Sequence, residues 1–294
     1  MGEVVVLSGK GGTGKTSIVA SFAALAQSKV LADCDVDAAD LYLLLRPQVK
    51  KQDEFWSGQA AFIDKEKCTE CGLCQELCRF GAIEDYRVDQ VSCEGCGLCS
   101  QVCPVGAITM QPCMAGHWFI SDTRYGTLVH ARLGIAQENS GKLVTLVRNN
   151  AKLVAEQQQL DYIVSDGPPG IGCPAIASLS GASMALLVTE PTLSGIHDLE
   201  RVLGLCRYFG IPALVCINKY DLNEENSRHI ENYCHDQGIE VAAKVPFDNV
   251  VTEAIVHGLP VVEYSGNKVA QKIGELWEIV SGKLDGTGGR DANL

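Results

Sequence analysis

The chain is 294 residues long, with a formal net charge of −12, 46% apolar residues and 14 cysteines. Its length suits roughly two domains, and its acidity argues against a chain that wraps nucleic acid through counterion release. No apolar run nears the ~18 residues of a membrane span and no basic signal segment opens the chain; a cytoplasmic protein with no membrane or nucleic-acid partner is expected, in which so many cysteines point to metal rather than disulfides.

Residues 3–8, "EVVVLS", are a continuous apolar run and predict a buried parallel strand. The strand runs into "GKGGTGKTS", residues 9–17, which fits two phosphate-binding patterns at once. Gly9, Gly11 and Gly14 spell the dinucleotide fingerprint, whereas Gly9 to Thr16 spell the P-loop. Asp33 and Asp35 even lie about 20 residues on, where a dinucleotide fold places its ribose-binding acid. Three features favour the P-loop. Lys15 and Thr16 follow Gly14 directly, and a dinucleotide site has no use for an ammonium and a magnesium-ligating hydroxyl there. A strand predicted at 161–166 ends in Asp166 and enters Gly167-Pro168-Pro169-Gly170, an apolar strand with an acid at its tip. A strand predicted at 212–217 ends in Asn218-Lys219-Tyr220-Asp221, suited to hydrogen-bonding a purine edge. Between these, a helix is expected at 15–27, a strand at 29–33 and a helix at 38–45, with Asp40 capping or solvating its start.

The middle of the chain carries an internal repeat. "CTECGLCQELC" starts at Cys68 and "CEGCGLCSQVC" at Cys93, 25 residues later. Each reads C-x2-C-x2-C-x3-C, the spacing of bacterial two-cluster ferredoxins. In that pattern a close triplet wraps one 4Fe–4S cube and the fourth cysteine reaches the other. Cys68, Cys71, Cys74 and Cys103 are then one ligand set, and Cys93, Cys96, Cys99 and Cys78 the other. Zinc would favour paired C-x2-C instead. Gly72 and Gly97 relieve crowding where backbone meets sulfide. Arg79 stands where the second repeat has Pro104, either as a solvated charge or as one that tunes a cluster. The module is placed at 63–112, inside a larger domain made of 1–62 and 113–294.

Residues 117–133 predict an antiparallel pair turning at Arg124–Gly126. Helices are expected at 141–159, 174–180, 195–208, 224–237 and 267–281, alternating with strands at 161–166, 183–188, 212–217 and 240–245. This alternation predicts an α/β fold with a doubly wound, mostly parallel sheet. Residues 283–294 are Gly-rich and polar at their end and are expected to be a flexible tail. Cys34, Cys206, Cys216 and Cys234 lie in apolar or helical stretches and read as buried thiols. His197 suits a hydrogen-bonding role at a helix start.

The whole chain resembles the MinD/ParA/Mrp class of deviant-Walker P-loop ATPases, of the SIMIBI type, and within it those with an inserted two-cluster ferredoxin domain. The resemblance is carried by "GKGGTGKTS", "DCDVDAADL", the two cysteine runs, "ENSGKLV", "DGPPGIGCP", "TEPTLSGIHDLER" and "INKYDLN". It implies ATP and Mg²⁺ as ligands beside two 4Fe–4S clusters. The amides of Gly11, Gly12, Thr13, Gly14, Lys15 and Thr16, with Ser17, would cradle the phosphates. Lys15 would pair with the β/γ oxygens, Thr16 would ligate Mg²⁺ with Asp166 behind it, and Asp35 would orient the attacking water, with Asp33 supporting. Lys10 would be the signature lysine, reaching the nucleotide of a partner subunit in an ATP-dependent dimer, either a homodimer or a heterodimer with a related ATPase. Asn218 would read adenine, with Pro246 and Asp248 beside the base. Gly167 to Gly170 would be a switch that senses the γ-phosphate.

Together these expectations describe an ATPase, slow without its partner, that couples nucleotide state to cluster assembly or electron transfer with a metal-cluster or redox protein. A positioning ATPase of the Min/Par kind, with the clusters as redox sensors, is the alternative. Cys173 falls seven residues after Asp166, as a cluster cysteine of the nitrogenase iron protein does. With Cys113 it is a candidate for metal at a dimer face, against the ordinary reading of a structural thiol.

Overall fold

The computed structural model describes residues 1–134 and 140–287. The chain divides into two compact units. The first contains Met1–Gln52, Phe119–Ala131 and the chain from Ser140 onward, and the second contains Asp53–Trp118 and the stretch from Arg132.

The strands, in chain order, are β1 (Gly2–Ser8), β2 (Lys29–Asp33), β3 (Gln48–Ile63), β4 (Ile83–Glu84), β5 (Arg87–Val88), β6 (Ile108–Thr123), β7 (Gly126–Leu133), β8 (Tyr162–Pro169), β9 (Met184–Thr189), β10 (Ala213–Asn218) and β11 (Glu240–Val245). The helices are α1 (Lys15–Leu25), α2 (Leu41–Leu45), α3 (Leu73–Glu76), α4 (Leu98–Val102), α5 (Ser140–Gln158), α6 (Cys173–Leu179), α7 (Leu193–Tyr208), α8 (Glu224–Asp236), α9 (Val250–His257), α10 (Val261–Tyr264) and α11 (Lys268–Thr287). The sheet runs β11-β10-β9-β1-β8-β2-β7-β6-β3. Its pairs from β11 through β2 to β7 are parallel.

In the first unit β1, β2, β8, β9 and β10 are buried on both faces along most of their length, as a helix-covered parallel sheet requires. The alternation along β1 divides the core. Val4 and Val6 join Phe22, Leu186 and Leu276 on one face, while Val5 and Leu7 join Leu179, Leu203 and Ile230 on the other. Trp277 closes the first face, with its ring 5.0 Å from Phe22 and edge-on to Tyr162 at 5.7 Å. The chain leaves β1 between neighbours β8 and β9, so the loop after it opens at the carboxyl ends of three strands. That is where parallel α/β sheets place their ligands.

The strands expected in this unit form, as does the hairpin across Arg124 and Tyr125. Three details differ. The helix expected from residue 38 begins only at Leu41, and exposed Asp40 makes no side-chain cap. β8 continues past Asp166 to Pro169, so the stretch expected as a loop starts as strand. Gly167 allows this, because a Cβ there would come within 2.5 Å of Leu7 Cδ2. α11 runs to Thr287, into the stretch expected to be a tail. Buried Leu284 holds it, packing against Gly2. Residues 288–294 lie outside the described residues, as do Glu138 and Asn139 of the family-like stretch before α5.

The second unit is built on the far halves of β3 and β6, each 16 residues long. Neither full length was foreseen, because Gln48–Glu54 are exposed on both faces and leave no alternation to read. β4 and β5 form a small antiparallel hairpin with Ile83 opposite Val88. A core of Ala61, Ile63, Cys74, Ile83 and Ile108 is surrounded by five more of the repeat cysteines. The repeat is visible in the backbone. Glu70 and Gly95 have φ of +55° and +63°, Gly72 and Gly97 +78° and +74°, Gly81 and Gly106 +62° each.

Candidate functional site

Register brings the acids together before any side chain is considered. Asp166 lies opposite Val6 of β1 and opposite Asp33 of β2. The loop from Gly9 therefore rises beside Asp166, and Lys15, first in α1, points back at it. Lys15 Nζ lies 2.5 Å from Asp166 Oδ1 and 3.6 Å from Asp35 Oδ2.

Burial acts to lower the Lys15 pKa, but the charge and hydrogen bond of Asp166, with Asp35 and Asp33 behind, hold it above its ordinary value. Burial pushes the Asp35 carboxyl up to about 6, with Lys15 opposing the rise and the charges of Asp166 and Asp37 adding to it. Asp33 is fully buried and lies well above the carboxylate range, because of burial and the charge of Asp166. Asp33 Oδ1 accepts from the Asp35 amide at 3.2 Å. Two buried oxygens here, Asp33 Oδ2 and Thr13 Oγ1, have no protein partner. Buried polar atoms are ordinarily satisfied, so this pair marks a site built for something the protein does not itself supply. Half-buried Thr16 adds another hydroxyl, and oxygen donors with two carboxylates suit a hydrated Mg²⁺.

The loop backbone needs its glycines. Gly12 and Gly14 have φ of +80° and +87°. A Cβ on Gly9 would lie 2.2 Å from Asp198 Cβ of α7. Asn218 Nδ2 donates to the Thr13 carbonyl at 2.7 Å, and Asn218 Oδ1 accepts from the Lys219 amide. Asn218 thus braces the loop, keeping one N–H and one lone pair for other use. Asp221 Oδ1 accepts the Phe247 amide at 2.7 Å, which ties the Pro246–Asp248 segment to the end of β10. Asp248 itself caps Val250 and accepts from Asn267.

Lys10 does not point into the loop. Its Nζ lies 3.3 Å from Glu190 Oε2, 3.2 Å from Thr192 Oγ1 and 3.4 Å from Ser194 Oγ. Lys219, at φ +55°, holds the other oxygen of Glu190 at 2.5 Å and donates to the Gly12 carbonyl at 3.2 Å. Sequence reasoning missed Glu190 as part of the site, and it gave Lys219 and Asp221 only as part of a segment suited to a purine edge, not as the residues that hold Glu190 and Phe247. "TEPTLSGIHDLER" carries family likeness, but nothing local in it says that Glu190 faces two lysines. The cap of α7 is Thr192, accepting from Gly195; the helix-start role expected of His197 is not found, and its side chain is exposed.

In the second unit the eight repeat cysteines line two cavities. One is bordered by Cys68, Cys71, Cys74 and Cys103. The other is bordered by Cys78, Cys93, Cys96 and Cys99, with Cys74 also reaching it, so that Cys74 stands between the two expected sets. The Cys103 sulfur accepts from the Ala107 amide at 3.3 Å. Slight desolvation opposes it, but the amides of Ala107, Val105, Gly106 and Ile108 hold the Cys103 thiol below its ordinary value. Burial pushes Cys74 and Cys99 up. Among the described residues, no three His, Cys, Asp or Glu side chains converge closely enough for a single metal ion. Thiols spread around a cavity suit a multi-atom cluster better than one tetrahedral ion with sulfur at about 2.3 Å.

Cys206, Cys216 and Cys234 are buried, with thiols pushed up to about 11, about 12 and about 11. Cys34 is likewise buried and raised. Cys173 is exposed at the start of α6, its Cβ against Gly141. Cys113 belongs to the second unit. No helix among the described residues is long and apolar enough to cross a membrane.

Comparison with known proteins agrees with the phosphate loop. The CobQ/CobB/MinD/ParA nucleotide binding domain matches residues 4–261. An uncharacterized protein of Methanocaldococcus jannaschii is 32% identical over 280 residues, covering 94% of this chain and 95% of its own. An iron-sulfur cluster carrier protein of Pyrococcus horikoshii is 26% identical over 149 residues, 45% of this chain and 50% of its own. The septum site-determining protein MinD from Pyrococcus horikoshii, solved with Mg-ADP, superimposes with a TM-score of 0.58 at 20% identity, covering 100% of this chain and 99% of that one. With its loop, its paired acids and this match over most of its length, the chain belongs to the CobQ/CobB/MinD/ParA nucleotide-binding family and is a P-loop ATPase of that family.

Proposed function

We propose that this ATPase is an iron–sulfur protein whose nucleotide state governs cluster assembly or electron transfer with a partner protein. The observation that carries the reading is the sorting of the eight repeat cysteines into two quartets around two cavities. An intact phosphate loop lies elsewhere in the same chain. The iron–sulfur carrier among the relatives adds support. Bound there, two 4Fe–4S groups would supply one-electron chemistry. Residues 63–112 would then be a ferredoxin-like insert, a reading supported by their lying within the second unit, Asp53–Trp118.

The chain's own residues would act as follows. Gly11 to Thr16 present amides at the start of α1 to the phosphates, with Ser17 behind them. Lys15 moves from Asp166 to the β/γ oxygens, which frees Asp166 and Thr16 to hold hydrated Mg²⁺. Asp35 orients the attacking water. Asn218, Pro246 and Asp248 border the base. Lys10 leaves Glu190, Thr192 and Ser194 and reaches the nucleotide of a second protomer, where its charge meets that of the transition state. The second protomer is another copy or a related ATPase. A Min/Par-like positioning role is the second reading, favoured by the family itself, which includes MinD and ParA.

The test is anaerobic purification with iron and sulfide analysis, then a pull-down with and without ATP and spectroscopy of both proteins' iron. About eight irons per chain and an ATP-dependent exchange of iron or electrons are expected. Iron-free protein, or exchange indifferent to ATP, would refute the reading.

A further inference from the structure

Tyr86 occupies a position that its backbone disfavours. Asp85 and Tyr86 are the two turn residues between β4 and β5, with φ of +46° and +56°. Such turns prefer Asn-Gly or Asp-Gly. Asp85 suits the first place, but a bulky residue does not suit the second. A side chain kept against its backbone preference points to a task.

Two contacts identify the task. Tyr86 Oη donates to the Glu70 carbonyl at 2.9 Å. Glu70, itself at φ +55°, donates its amide to Cys68 Sγ at 3.4 Å. Tyr86 also borders the cavity of Cys68, Cys71, Cys74 and Cys103. It borders as well an open cleft of about 700 Å³ lined by Lys65, Glu70, Glu84, Arg87 and Asp89, which Cys68 also borders. The other cavity has no equivalent: 25 residues on from Tyr86 is Gln111, and the rim there is formed by exposed Arg79 and Phe80.

We propose that Tyr86 is the positioning residue of the first quartet alone. Its ring separates the Cys68 cavity from the cleft, and its hydroxyl fixes the turn whose amide bonds the Cys68 sulfur. This rests on the reading that the quartets hold iron–sulfur groups. Hydrogen bonds to sulfur and solvent exposure set cluster potentials and lability. The two groups therefore differ in what stands at their rims, a tyrosine held by Glu70 at one and exposed Arg79 and Phe80 at the other.

The test uses the full chain, reconstituted anaerobically with ferrous iron and sulfide, and a colorimetric iron chelator. In Tyr86→Gly, half of the iron should leave about tenfold faster and half at the wild-type rate, a size usual for losing an outer support. Alkylation of the thiols freed early should map to Cys68, Cys71, Cys74 and Cys103. Tyr86→Phe keeps the ring, so release should stay at the wild-type rate while one of two reduction potentials falls. If Tyr86→Gly takes up only half the iron, the proposal stands when the empty quartet is that of Cys68. It is overturned if release and potentials are unchanged, or if the early thiols are Cys78, Cys93, Cys96 and Cys99. Wild-type protein that takes up no iron refutes the iron–sulfur reading, and this proposal with it.

Discussion

At the scale of single residues, the phosphate site is a balance of unlike charges held out of water. Lys15 faces three carboxylates, and Asp35 is raised from the ordinary 3.8 to about 6 by burial. The folded chain then binds that proton more tightly than the unfolded chain does. Stability contributed by the protonated group is present below the ordinary carboxylate range and is lost as pH rises through about 6. Nucleotide-free protein should lose on the order of 1–3 kcal/mol across this window, and Asp35→Asn should flatten the loss, as read by urea titrations at several pH values. A second buried pair is purely structural. Arg148 binds Glu3 through two hydrogen bonds at 2.8 and 2.6 Å and donates to the carbonyls of Ala177 and Ser180. It fastens α5 to β1 and to the end of α6. Arg148→Met leaves the buried Glu3 carboxylate to Lys152 at 3.7 Å and the Ser165 hydroxyl at 3.1 Å, and should cost up to about 3 kcal/mol, seen as a lower denaturation midpoint.

At the scale of elements, the cysteine repeat shows how one local pattern meets two environments. Gly95 and Glu70 occupy equivalent turns at positive φ. A Cβ on Gly95 would lie 2.2 Å from the Gln59 carbonyl oxygen, so this copy requires glycine. Glu70 tolerates its side chain at a backbone cost. Glu70→Gly should therefore stabilise the chain by about 0.5–1 kcal/mol, and Gly95→Ala should destabilise it by more than about 2 kcal/mol. Thermal melts of the two variants check both signs. α7 meets the loop in a comparable way. Its Asp198 leaves no space at Gly9, and its start supplies Thr192 and Ser194 to Lys10.

At the scale of the whole molecule, Lys10 is the residue on which the proposed ATP-dependent assembly is tested. Within one protomer its ammonium is neutralised by Glu190 rather than spent on its own phosphate loop. Lys10→Ala should keep nucleotide affinity yet lose ATP-dependent dimerisation, with turnover lowered by about 10³-fold, the low end for a charge supplied across an interface. Equilibrium sedimentation with and without ATP, beside phosphate release, measures this. Full turnover by that variant would remove the trans role.

What the sequence alone determined was whatever is written locally. The phosphate loop is a contiguous motif, the buried strands are apolar runs, and the cysteine repeat is a fixed local spacing, so all three can be read from short stretches of chain. β3 and the far end of α11 were missed for the converse reason: one strand is exposed on both faces, and the helix end is held by the burial of Leu284 rather than by its polar sequence. Only the tertiary structure decided which carboxylates face Lys15, that Glu190 bridges Lys10 and Lys219, and that Tyr86 stands at one cavity and not the other. Those partners are separated by as many as 180 residues in the chain, from Lys10 to Glu190. Strand register and helix packing, not local preference, bring them within hydrogen-bond reach.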